Sequence, residues 1–107
     1  MDSAKLREML IGANLALLDD DAVEHFSFGR DNYVAATLGT HSGGVCAPVL
    51  SYLVTEDGKV ELGAGSDLHE TWEDVELKDG VLSVRSGTFL KRFKFTPGVK
   101  RPAPYLP

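Results

Sequence analysis

Hydrophobic positions near the start of the chain recur with a helical period. Leu6, Leu10, Ala13 and Leu17 follow one another at spacings of four, three and four, with Met9 beside them. This stripe predicts an amphipathic helix over 4–18, with Ser3 as its N-cap. Asp19, Asp20 and Asp21 come next, where the helix dipole is negative and acids are unfavourable, so they mark the helix stop. Asp21 with Glu24 offers an alternative, the cap of one further short helical turn.

From Phe26 onward the period falls to two and turn residues punctuate the chain, the pattern of antiparallel strands. Strands are expected at 24–28, 33–39, 48–55, 59–62, 69–77, 81–86 and 89–95. Asp57-Gly58 and Asp79-Gly80 accept the positive φ that tight hairpins demand, and 29–32 and 86–88 are weaker turns of the same sort. Alternation assigns Phe26, Phe28, Val34, Leu38, Leu50, Tyr52, Val54, Val60, Leu62, Val75, Leu77, Leu82, Val84, Phe89, Phe93 and Phe95 to a core face. Lys91, Arg92 and Lys94 go to the charged face, with Leu90 an exception there. Within 69–77, Glu70, Asp74 and Glu76 share one parity, and Glu73 shares the other with Val75 and Leu77.

The fold class that follows is α+β: an N-terminal amphipathic helix and a curved antiparallel meander of six or seven strands, bent towards a barrel. Residues 1–107 form one domain, with helix at 4–18, sheet at 24–95 and a tail at 96–107. The tail holds four of the five prolines and is unsuited to a sheet interior. It is expected to be an extended strap or disordered. If consecutive strands are neighbours, the turns at 29–32, 56–58 and 78–80 share one end of the sheet. The glycine-rich connections 40–47 and 63–68 then share the other end with 86–88, as one rim.

Composition narrows the class. With 43% hydrophobic and 25% charged residues, neither a disordered chain nor a membrane protein is expected. The apolar run 9–18 is too short to span a bilayer, and acids follow it directly, unlike a secretory leader. One cysteine, Cys46, forms no internal disulfide, and cytoplasmic residence is the expectation. The net charge of −5 conceals a polarity: all sixteen acids lie at or before Asp79, whereas residues 81–107 carry six basic side chains and no acid. Such segregation orients partners if the fold preserves it.

Candidate chemistry is sparse. Cys46 with His41 or His69 would make a thiolate and its base, but nothing in the spacing joins them, and a lone cysteine beside valine and alanine is usually small apolar filler. His25, His41, Cys46 and His69 are spaced unlike any compact metal motif, so no metal and no cofactor are expected. Ser42-Gly43-Gly44 lacks the lysine and helix of a phosphate loop. The basic end, Arg85, Lys91, Arg92, Lys94, Lys100 and Arg101, lies among phenylalanines assigned to the core, which argues against base stacking and nucleic-acid binding.

The acidic segment around Trp72 is more suggestive. An aromatic anchor among Glu70, Glu73, Asp74 and Glu76 suits a basic protein partner. The leading expectation is therefore a non-catalytic protein-binding module, such as a small acidic inhibitor, immunity-type protein or adaptor. The alternative is a small-molecule carrier whose pocket opens at the rim, using His41, Ser42, Cys46, Ser66 and His69. A Cys/His enzyme ranks last. Homodimerisation is compatible with each reading, and membrane association with none.

Overall fold

The computed structural model describes residues 2–19, 21–64 and 66–98. One short helix, α1 (Ser3–Leu10), precedes nine strands: β1 (Asn14–Leu17), β2 (Ala22–Phe28), β3 (Tyr33–Thr40), β4 (Val45–Cys46), β5 (Val49–Val54), β6 (Val60–Ala64), β7 (Asp67–Lys78), β8 (Val81–Ser86) and β9 (Phe89–Thr96). The architecture is mostly antiparallel β. Strand β1 pairs with both β2 and β9, and β2 pairs with β3, so the meander closes on itself. The closed ring has eight strands rather than the six or seven expected, and β4 is a short addition beside the end of β3. The tail from residue 99 on, with Lys100 and Arg101, lies outside the described residues, as does Asp20.

The extra strand comes from the segment expected to be helical. Helix α1 stops at Leu10, and Gly12 takes φ +77°, a conformation that favours glycine. Beyond it Leu15 and Leu17 alternate with Asn14 and Ala16, and Leu15 faces Phe26 on one side and Phe95 on the other. The helical stripe therefore ends at Leu10, and Leu17 belongs to a strand. The N-cap is Asp2, not Ser3: its side chain accepts a hydrogen bond from the backbone N of Lys5 at 3.4 Å. Asp19 does not end a helix. Its Oδ1 accepts from the backbone N of Asp21 and of Ala22, both at 2.9 Å, and these bonds hold its carboxyl below the usual range while turning the chain into β2. Because β2 begins at Ala22, Asp21 and Glu24 cap no helical turn.

Inside the ring Phe26, Phe28, Trp72 and Phe93 are fully or almost fully buried. Trp72 packs on Phe93 at 5.2 Å and edge-on against Phe26 at 5.3 Å, and Phe28 meets Tyr52 at 4.8 Å. These rings, with Val34, Leu50, Val60, Leu62, Leu82 and Val84, form the buried core. Helix α1 closes one end by burying Leu6 and Leu10 completely, and Arg7 is tied to the carbonyl of Val54 at 3.4 Å.

Three expected orientations change. A bulge in β7, where the register against β8 shifts between Glu73 and Glu76 and Asp74 takes φ +50°, inserts one residue. The parity of the strand flips there, so Glu70 and Trp72 share the inner face with Val75 and Leu77, while Glu73 turns out. Lys91, expected on the charged face, has the parity of Phe93 and points into the barrel. Phe89 shares that parity but stands at the turn beyond the packed interior, exposed rather than in the core.

Candidate functional site

The up-and-down order sends the connections alternately to the two ends. Helix α1 and the turns at 29–32, 55–59 and 79–80 lie at one end. The connections that follow Leu17, Thr40, Ala64 and Ser86 leave from the other, which is the glycine-rich rim. Its outline depends on Gly39: a Cβ there would come within 2.8 Å of Val45, so glycine lets β4 fold against β3.

Beneath the rim the barrel mouth is closed by charge. The Nζ of Lys91 donates to Glu24 Oε1 and Oε2 at 2.9 and 3.1 Å, and to Glu70 Oε2 at 2.8 Å. Glu70 Oε2 also accepts from the indole Nε1 of Trp72 at 2.9 Å. Each charged residue stands two positions before an inward aromatic: Glu24 before Phe26, Glu70 before Trp72, Lys91 before Phe93. Alternation thus carries all three onto the inner face, one layer above the rings. Burial by itself would raise the Glu70 carboxyl, but hydrogen bonds from Lys91, Ser86 and Trp72 and the Lys91 charge hold it below the usual carboxylate range. Burial would lower Lys91, but its bonds to Glu70 and Glu24 and their charges keep it above the ordinary lysine value. All three ammonium protons are engaged, so the cluster works as an ionic stopper.

The residues expected around Trp72 are therefore dispersed. Trp72 is 0% exposed and is no surface anchor. Glu70 lies in the mouth. Glu73 is paired with Lys59 at 3.2 Å and Arg85 at 3.7 Å, and Asp74 with Arg85 at 2.9 Å. Glu76 is exposed and lines, with Asp74, Asp2 and Lys5, an open cleft of about 570 Å3 beside α1. Glu70, Glu73 and Asp74 are thus paired with cations from three places, Lys91 on β9, Lys59 before β6 and Arg85 on β8.

Of the rim residues, His41, Ser42, Cys46, Ser66 and His69 are all exposed. Ser42 Oγ donates to Asp21 Oδ1 at 3.2 Å, and the backbone N of His41 donates to Asp21 O at 2.9 Å. Among the described residues neither histidine is hydrogen-bonded to Cys46. Nor does any group of three or more His, Cys, Asp or Glu stand where it could hold a metal ion. Below these side chains the Lys91–Glu24–Glu70 cluster and the aromatic layer occupy the interior of the barrel.

Exposed apolar residues to which the alternation gave no functional role define the character of the rim. Leu18, Val45, Leu68, Phe89 and Leu90 are between 50% and 72% exposed, and all five stand at this end. Asp19, Asp21 and Asp67 are interspersed with them. The signal was present in Phe89-Leu90, two apolar residues directly after a Gly-Thr turn, where a hairpin tip cannot bury both. At the opposite end an open cleft of about 1030 Å3 lies between α1 and the barrel, lined by Met9, Ile11, Phe28 and Phe95 with Lys5, Glu8 and Arg30 as its charged residues.

No helix among the described residues is long and apolar enough to cross a membrane. Comparison with family models, with curated proteins and with solved structures found no match.

Proposed function

We propose that the protein is a non-catalytic protein-binding module that meets its partner at the glycine-rich rim. The observation that carries this reading is the collection of five exposed large apolar side chains at that end, with Phe89 and Leu90 at the tip of the β8–β9 hairpin. An apolar tip set among Asp19, Asp21 and Asp67 suits a partner with an apolar pocket bordered by basic side chains, the acids speeding its capture. Phe89 takes the part of aromatic anchor that buried Trp72 cannot play. The stopper beneath supports the reading, because its paired charges give the rim a firm floor. The test is affinity capture from the native host with wild type and with F89S/L90S. Loss of a specific partner with the variant is expected, and an unchanged set of bound proteins overturns the proposal.

A second reading, small-ligand binding, is favoured by the cleft beside α1, whose apolar lining suits an amphipathic molecule and whose two cations, Lys5 and Arg30, against the one acid Glu8, suit an anionic head group. It places the ligand at the end opposite the rim. Titration with a fluorescent long-chain carboxylate, against wild type and K5E/R30E, tests it: saturable binding weakened by the variant supports this reading, and no binding removes it.

A further inference from the structure

The hydrogen bonding of the barrel wall has a gap. Strand β7 runs on to Lys78, but β6 begins at Val60, opposite Trp72, so beyond Glu73 one edge of β7 has no neighbouring strand. On its other edge the pairing with β8 continues to the two-residue turn Asp79-Gly80. The residues flanking such a turn, here Lys78 and Val81, form a hydrogen-bonded pair, and alternation gives Glu76 and Ser83 the same role. Because peptide units are planar and trans, the N–H and carbonyl of Leu77 and the carbonyl of Val75 then point away from β8, to the vacant edge. Among the described residues no backbone hydrogen bond reaches them there. Val75 is only 4% exposed, so water serves its carbonyl poorly, and an acceptor left unmet in such a place is costly.

We propose that this edge binds an extended peptide segment of a partner protein as an added antiparallel strand. The edge opens into the cleft of about 570 Å3, which is lined by Asp74, Val75, Glu76 and Leu77 of β7 and, from the side of α1, by Asp2 and Lys5. Because α1 supplies the far wall, the occupant is a single segment; the next strand of a folded sheet would run into Asp2 and Lys5.

The register dictates the side chains of that segment. The residue opposite Leu77 exchanges both main-chain bonds with it and turns its side chain to the inner face, where Leu77 packs against the core, so it is apolar. The next residue, opposite Glu76, stands on the outer face. Glu76 is exposed and makes no ion pair among the described residues, whereas Arg85 answers Asp74 at 2.9 Å. A basic side chain opposite Glu76 supplies the missing partner. Lys5 offsets part of the acidity of the cleft, so the main chain provides the hold and Glu76 the selection. This contact is separate from the rim and does not rest on it.

Titration of the isotope-labelled full chain with the peptide acetyl-Thr-Val-Lys-Val-Thr-amide, followed through the backbone amide signals by nuclear magnetic resonance, tests the proposal. Saturable shifts centred on Val75, Glu76 and Leu77 are expected, with slower hydrogen exchange at the Leu77 N–H and a dissociation constant of about 1 mM. Methylating the backbone nitrogen of the first valine removes a donor and should weaken binding at least about tenfold. E76K, at an exposed position, should weaken it about fivefold, and F89S/L90S should leave it unchanged, the rest of each spectrum verifying that the variant is folded. No shift at about 5 mM peptide, shifts centred on another face, or binding indifferent to either the methyl group or E76K overturns the proposal.

Discussion

The two ends of the barrel are closed by different chemistry. At one end α1 presses Leu6 and Leu10 into the core, a seal made of apolar area alone. At the other a lysine held by two carboxylates sits over Trp72. An apolar seal depends little on pH or salt, because nothing in it titrates. An ionic seal is conditional: its charges stabilise only while paired, and each unpaired member is costly where it is partly desolvated. The end proposed to meet partners is therefore the end whose closure responds to solution conditions.

The largest effect expected from breaking this contrast is at the apolar end. Leu10→Ala removes a fully buried side chain and should cost about 2–5 kcal/mol, with the same loss at pH 5 and pH 9, read from urea midpoints. Next comes Lys91→Met, which leaves Glu24 and Glu70 facing each other without a cation. A loss of about 2–3 kcal/mol at neutral pH is expected, shrinking as the solution is acidified and the carboxylates take up protons. A loss independent of pH would mean that the stopper acts by packing rather than charge.

Glu70→Gln gives a finer test. The stability due to ionised Glu70 is fully present above its unfolded value of 4.5 and is lost as the pH falls through the lower folded value. The variant should flatten that acid limb, seen by comparing midpoints from pH 7 down to about pH 3. Lys91 works in the opposite sense: its contribution is complete below 10.5 and is lost as the pH rises through its raised folded value. Smallest is Arg85→Gln, which removes two surface pairs and should cost less than about 1 kcal/mol, measurably salt-dependent only at low ionic strength.

Most of the sheet could be read from period-two alternation and turn chemistry, and the strands from β2 to β9, apart from β4, lie where Phe26, Val34, Leu50, Val60, Leu82 and Phe93 put them. Two local events hid the rest. The spacing of Leu6 to Leu17 is compatible with a helix throughout, and only the left-handed turn at Gly12 divides it into a helix and the strand that closes the ring. In β7, strict alternation places Trp72 opposite Val75, and one inserted residue at Asp74 reverses this. The stopper was hidden for a related reason. Charges are normally assigned to the wet face, and Glu24, Glu70 and Lys91 become legible only when their common distance of two from an inward aromatic is given more weight than their polarity. The exposed rim residues escaped because alternation says which side a residue points to, not how far it stands beyond the packed layer.

The pairing of β1 with β9 has a consequence for how the molecule is made. Every other joint in the ring unites strands that follow one another closely, and such hairpins form early because little chain entropy is lost. The β1–β9 seam instead brings Leu15 against Phe95 across nearly the whole described chain, and contacts of that range are slow to form. The shutting of the curved sheet along this seam is then expected to be the late step of folding, and Leu15→Ala should speed unfolding more than it slows refolding. Until it shuts, Leu15 and Phe93 face water, and the open edges of β1 and β9 are free to pair with a neighbouring chain.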